Sequence, residues 1–316
     1  MKTKPRIVFM GTPDFAVATL DTLIKNGYPV VGVITAPDRP AGRGRKLQGS
    51  AVKIYTKENG LPLLQPTNLK DPEFLRQLKN LEPDLQIVVA FRMLPKSVWE
   101  LPRMGTFNLH ASLLPDYRGA APINWAIING EIETGATTFF IDDKIDTGEI
   151  LLQVKCPLSD TDTAGTLHDR LMQLGADLVL ETVRGLEEGK IRPKKQEGNA
   201  QLKPAHKLHR ETCELDWELP MVQINNKIRG LSPYPTAWTT LYNGEEEMFL
   251  KIYRTDMEKA PHNEKPGTVV ADKNELKVAV RDGFIKLLEI QLPGKRRMET
   301  KEVLNGLKLK KNAYVG

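Results

Sequence analysis

Across the first half of the chain, short uninterrupted apolar runs alternate with stretches in which apolar residues recur every three or four positions. The first pattern belongs to strands buried on both faces, the second to helices that cover them. Arg6-Ile-Val-Phe-Met10 reads as a buried first strand. A helix follows with Ala16, Leu20, Leu23 and Ile24 on one face, Thr12 as N-cap, Pro13 in its first turn and Gly27 as its stop. Val30 to Ile34 makes a second strand, Ala51 to Asn59 and Glu73 to Leu81 two helices, and the β-branched run Leu85 to Ala90 a central strand. Thr106 to His110 is then a short strand, Ala121 to Ile128 a helix, Gly135 to Ile141 a strand and Thr163 to Leu186 a long amphipathic helix. Together these predict an α/β domain with an open, mostly parallel, Rossmann-like sheet.

From Gly189 to Ala205 the chain turns polar and rich in Pro and Gly, a linker composition. The expected organisation is a first domain over residues 1–189, a linker over 190–206 and a second domain over 207–316. The second opens with a helix near Met221 to Arg229. Short β-like runs follow at Ala237 to Tyr242, Met248 to Tyr253, Gly267 to Val270, Leu276 to Val280 and Phe284 to Ile290. Gly, Asn and Asp separate them, which predicts a small C-terminal β-barrel of OB-like form.

Composition changes little in this picture. A hydrophobic share of 40% and a charged share of 27% in 316 residues are globular values. The only apolar stretch near the N-terminus, Ile7 to Met10, is far too short for a signal core or a membrane span, so a cytoplasmic protein without membrane contact is expected. Cys156 and Cys213 stand alone in sequence, which predicts free thiols and no cysteine-bound metal. The net charge of +5 points mildly to a polyanionic partner.

The turn Gly11-Thr-Pro-Asp14 lacks the spaced glycines of a dinucleotide loop, which argues against an NAD enzyme. More informative is Phe107-Asn-Leu-His-Ala-Ser-Leu-Leu-Pro-Asp-Tyr-Arg-Gly-Ala-Ala-Pro122. Strand alternation puts Asn108 and His110 on one face at a strand end, where open α/β sheets place their chemistry. An amide donor suits a developing oxyanion, and an imidazole exchanges protons near neutral pH. A carboxylate from Ile141-Asp-Asp-Lys-Ile-Asp-Thr-Gly-Glu149, Asp146 in particular, is placed to pair with that ring. Each of these alone is more often structural, a strand-end His satisfied locally or an Asp forming a turn. The combination carries the argument.

Gly11-Thr-Pro-Asp-Phe15, Pro37-Asp-Arg-Pro-Ala-Gly-Arg-Gly-Arg-Lys46, Asn108-Leu-His-Ala-Ser-Leu-Leu-Pro115, Arg118-Gly-Ala-Ala-Pro-Ile123 and Asp146-Thr-Gly148 occur in this order, and in them the chain resembles the methionyl-tRNA formyltransferase family. Weaker similarity runs on through Asp216-Trp217, Ile228-Arg229 and Pro233. The resemblance implies transfer of a formyl group from 10-formyltetrahydrofolate to the α-amine of methionyl initiator tRNA, without a metal; a monomer is expected. It makes Asn108, His110 and Asp146 the catalytic trio. For the folate it implies Ser112, Leu113, Leu114 and Pro115, with Asp142 in the loop that wraps the pterin. Phe91 and Met93 lie in the segment that lines the folate pocket. There the chain departs from the pattern: Val89-Ala-Phe-Arg-Met-Leu-Pro95 stands where relatives read Val-Ala-Tyr-Gly and further apolar residues before Leu-Pro.

The trio identifies formyl transfer and is silent on the acceptor, so a nucleotide or sugar-nucleotide amine stays open as an alternative, as does a non-catalytic RNA-binding protein. Charge placement bears on the choice. Arg39, Arg43, Arg45, Lys46 and Lys53 crowd a Gly-rich loop with only Asp38 against them, and Arg43, Arg45 and Lys46 are the expected tRNA contacts. A solvated surface loop has the same composition. A second basic group from Lys295 to Lys311 weighs only slightly for RNA.

Overall fold

The computed structural model describes residues 4–41, 46–197 and 202–316. Its first strand, β1 (Ile7–Gly11), is buried along its whole length and leads into α1 (Asp14–Lys25). Gly11 is required at this junction, since a Cβ there would lie 2.6 Å from the Ala16 Cβ. The N-cap is Pro13 rather than Thr12 and carries no side-chain cap bond; the Thr12 carbonyl instead accepts from the Val52 amide.

The chain continues through β2 (Val30–Ile34), the short strands β3 (Arg39–Ala41) and β4 (Lys46–Gln48), α2 (Ala51–Glu58), β5 (Leu63–Leu64), α3 (Pro72–Asn80) and β6 (Leu85–Val89). Then come α4 (Lys96–Trp99), β7 (Thr106–His110), α5 (Pro122–Ile128), β8 (Glu133–Phe140), β9 (Ile150–Pro157) and α6 (Ala164–Glu188). Seven of these strands form one sheet in the order β5-β2-β1-β6-β7-β8-β9. The pairings from β5 to β7 are parallel, and β8 runs antiparallel to β7. Among the described residues β3 and β4 pair only with each other, apart from the seven-stranded sheet.

Register decides which side chains face which helix. Met10, Val88 and Asn108 align across β1, β6 and β7. On that face Phe74 and Leu78 of α3 pack with Val8, Met10 and Val88. Leu109 points the opposite way, against α6, where Gly175 lets the helix approach so closely that a Cβ would meet the leucine at 2.8 Å. The packing of Leu109 thus leaves Asn108 and His110 on the other side. A one-residue slip would exchange the two faces.

The second half holds α7 (Met221–Leu231), β10 (Ala237–Asn243), β11 (Glu246–Glu258), β12 (Val269–Ala271), β13 (Leu276–Val280), β14 (Gly283–Gln291), β15 (Met298–Glu299), α8 (Thr300–Leu304) and β16 (Tyr314–Val315). The antiparallel order is β12-β13-β14-β11-β10-β16, and a bridge from Thr268 to Tyr314 brings the two ends together into a nearly closed barrel. Its core includes Ile224, Ile228 and Leu231 of α7 against Leu241, Leu250, Ile252, Val278 and Ile285. Each fully buried aliphatic of this kind contributes about 1.5–3 kcal/mol.

The chain separates into two compact units, one of residues 1–119, 134–157 and 168–204, the other of 120–133, 158–167 and 205–316. Among the described residues no helix is long and apolar enough to cross a membrane.

Candidate active site

In the sheet order, β1 has β2 on one side and β6 on the other, so the chain leaves it in opposite directions. The carboxyl ends of such strands open a crevice. Here it is a cleft of about 520 Å³, lined by Thr12 and Pro13 after β1, Ala36 and Pro37 after β2, Arg39 at the start of β3, Gln48 at the end of β4 with Gly49 and Ser50 after it, and Ala90, Phe91 and Arg92 after β6. Two cations border it. Burial and the neighbouring Arg39 push the Arg92 guanidinium below the usual arginine range. Arg92 donates to the carbonyls of Thr67, at 2.8 Å, and of Pro66, and lies 5.6 Å from the centre of the Phe91 ring. The departure from the family pattern at residues 91–95 thus has a structural content: Arg92 ties the end of β6 to the loop before α3.

His110 ends β7 and is 6% exposed. Its Nε2 lies 2.8 Å from the Tyr117 carbonyl and its Nδ1 3.7 Å from Asp146 Oδ2. The Phe139 ring stands edge-on to it at 6.5 Å. With both protons on the ring, Nε2 donates to Tyr117 and Nδ1 faces the carboxylate as an ion pair. Asp146 is held in turn by the Gly119 amide, which donates to Oδ2 at 2.9 Å. Tyr117 and Asp146 both have left-handed backbones, φ 60° and 54°, uncommon for residues with a side chain and maintained only by firm surroundings. Among the described residues nothing engages the side-chain amide of Asn108, which is part-exposed two positions before His110 on the same face. The structure therefore brings His110 and Asp146 together beside an uncommitted amide.

The other sequence-derived positions fall out differently. Ser112 and Leu114 are buried. The Ser112 hydroxyl donates to the Asp116 carbonyl at 2.7 Å, and Gln153 Nε2 donates to the Leu114 carbonyl at 2.9 Å. Both polar groups thus hold the turn, while Leu113 and Pro115 keep partial exposure. Asp142 accepts from the Thr147 hydroxyl at 2.8 and 2.9 Å and from the Lys144 amide at 2.9 Å, closing its own loop. Phe91 lines the cleft, whereas Met93 is 67% exposed and is not among the lining residues. Arg43 and Arg45 lie outside the described residues, and Lys46 begins β4. Lys53 does not belong with the free basic residues, because Asp38 pairs with it at 2.5 Å.

Residues that pattern reasoning passed over are Tyr117, Gly119 and Gln196. Gly119 stands inside the Arg118–Ile123 motif, which is a usable signal; Tyr117 acts through its carbonyl and leaves no mark of residue type.

Residues 5–183 match the formyl transferase family, and residues 207–308 match the formyl transferase C-terminal domain. A methionyl-tRNA formyltransferase of Flavobacterium johnsoniae is 57% identical over 312 residues, covering 99% of each chain. The chain belongs to the methionyl-tRNA formyltransferase family. Another relative of that name, from Bacteroides fragilis, is 56% identical over 96% of this chain and 95% of its own. HypX from Aquifex aeolicus, solved in complex with tetrahydrofolic acid, shares the fold at a TM-score of 0.65 and 19% identity; it covers 98% of this chain, which spans about half (49%) of HypX. Members of the family are one-carbon transferases that use formyl-tetrahydrofolate. Among the described residues no group of three or more His, Cys, Asp or Glu is arranged to hold a metal ion.

Proposed function

We infer that this chain transfers the formyl group of 10-formyltetrahydrofolate to the α-amine of methionyl initiator tRNA, as a cytoplasmic monomer serving translation initiation. The observation that carries the reading is His110 3.7 Å from Asp146, beside the uncommitted Asn108 amide on the same strand face. The uncharged amine attacks the formyl carbon, and charge develops on the formyl oxygen. Asn108 donates to that oxygen, and His110, which donates to Tyr117 at rest, turns its hydrogen bond to it as the charge grows. Asp146 sustains the charged ring. The proton from the amine returns to the folate nitrogen as the C–N bond breaks. Ser112 to Pro115, with Asp142 and Phe91, shape the folate side, Ser112 and Asp142 chiefly by fixing their own loops. The cationic cleft around Arg39, together with the sequence-neighbouring cations Arg43, Arg45 and Lys46, takes the acceptor, because phosphates seek guanidinium groups.

The decisive measurement is formylation of charged initiator tRNA with 10-formyltetrahydrofolate, run beside small nucleotide and sugar-nucleotide amines. Formyl-methionyl-tRNA as the product supports the reading. Turnover confined to a small amine, or none with either, sinks it.

A further inference from the structure

A side chain in the polar segment after α6 binds the catalytic loop from two directions. Gln196 Nε2 donates to the carbonyl of Asp146 at 2.9 Å and to that of Gly148 at 2.8 Å. Its Oε1 accepts from Arg118 Nε at 3.1 Å and Nη2 at 2.7 Å. The surrounding backbone is paired as well: Lys194 and Ile150 exchange two hydrogen bonds, at 2.7 and 2.9 Å. This stretch is therefore tied to the start of β9 by one antiparallel bridge, and Gln196 is not a loose linker residue.

The geometry has a direction. Asp146 keeps φ at 54°, so the heading of its carboxylate depends on whatever fixes its peptide planes. One fix is the Gln196 amide on the Asp146 and Gly148 carbonyls. The other is the Gly119 amide on Oδ2, and Gly119 directly follows the Arg118 that the same glutamine anchors. A single carboxamide thus joins the two backbone segments that grip the acid.

We propose that Gln196 is a positioning residue, setting the Asp146 carboxylate against His110 through the Asp146 backbone on one side and Arg118–Gly119 on the other. The inference rests on the catalytic reading of Asp146. Gln196 moves no proton and meets no substrate. Its carboxamide is suited to this as a carboxylate is not, since it donates to carbonyls at one end while accepting from a guanidinium at the other.

The test is a double-mutant cycle on formylation of charged initiator tRNA, with kcat and both KM values measured for Asp146→Asn, Gln196→Ala, Gln196→Glu and Asp146→Asn combined with each Gln196 change. Gln196→Ala is expected to lower kcat about tenfold or more with both KM values within about twofold, and to lose less than about twofold further when Asp146 is already Asn. Gln196→Glu keeps the acceptor for Arg118 but offers the carbonyls no N–H, and should be as impaired as Gln196→Ala. Should Gln196→Ala fail to fold, the cycle built on Gln196→Glu decides in the same way. Wild-type kcat in the Gln196 variants, or losses that multiply with that of Asp146→Asn, overturn the proposal and leave the trio intact. Wild-type kcat in Asp146→Asn alone overturns both.

Discussion

Lys53 Nζ meets Asp38 Oδ2 at 2.5 Å, one residue before β3 begins. Gln65 Nε2 holds the other carboxylate oxygen at 3.0 Å, and the hydrogen bonds from Lys53 and then Gln65 keep the Asp38 carboxyl below its ordinary range. The lysine therefore braces the start of β3 from α2 and is not free to grip an acceptor. Lys53→Met is expected to raise KM for charged initiator tRNA severalfold and to leave KM for the folate unchanged. Arg43→Ala should do the same and also lessen the salt dependence of tRNA use, by about one counterion in a log–log plot. Steady-state kinetics at several salt concentrations check both. An unmoved tRNA KM in the two variants returns the basic segment to an ordinary surface role.

Removing one oxyanion donor from a preorganised site typically lowers the rate about a hundredfold to a thousandfold. Asn108→Ala is expected to show a loss of that size in kcat with little change in either KM, because its amide is committed to nothing else among the described residues. His110→Ala should fall at least as far. Wild-type kcat for His110→Ala at saturating substrates is the result that this chemistry does not survive.

Gly148 has no room for a side chain: a Cβ would sit 1.7 Å from the Phe140 carbonyl oxygen, a backbone atom that cannot swing aside. In Gly148→Ala the loop must shift, taking Asp146 with it. Overpacking of this kind destabilises by about 1–3 kcal/mol. Urea unfolding and kcat should both record the change. Intact activity would mean that the loop relaxes without moving the acid.

Burial, and then the hydrogen bond to Asp21, push the Tyr55 phenol up to about 12. In the unfolded chain it titrates near about 10. The raised value favours the protonated form in the fold, so its contribution to stability is whole below about pH 10 and is lost as pH rises towards about 12. Phenolate absorbance should show a late-titrating component that Tyr55→Phe diminishes; burial raises Tyr28 as well, so a part of it remains. A single transition of all tyrosines near about pH 10 would contradict this.

Much of this was readable beforehand, for identifiable reasons. Val30–Ile34, Thr106–His110 and Leu276–Val280 have the bounds that their apolar runs predict, because burial on a sheet face imposes the pattern directly. Alternation likewise sent Asn108 and His110 to one face. The β3–β4 pair is not foreseeable from the sequence: three-residue strands among Arg, Gly and Pro are too short to show an apolar alternation. β16, two residues beyond a run of lysines, buries only Val315 in the core and is too short to show a period. Pro13 was placed one position too deep, since nothing local distinguishes a capping proline from one in the first turn. Gln196 left no trace at all, because a polar residue in a polar stretch reads as solvent-facing until its partners are known.

Chain order and compact units are out of step, and that bears on how such a protein can be cut or recombined. α5 falls in the same unit as the barrel although it precedes β8. Asn124 on it donates to the Gly230 carbonyl at 2.8 Å and Trp125 to the His206 carbonyl at 2.8 Å. A fragment stopped at Pro204 would retain the helix, as it would residues 158–167 of the same unit, and forfeit both acceptors. Exchange of the C-terminal part between relatives, by recombination or by design, therefore has to carry α5 along with it or rebuild its outer surface.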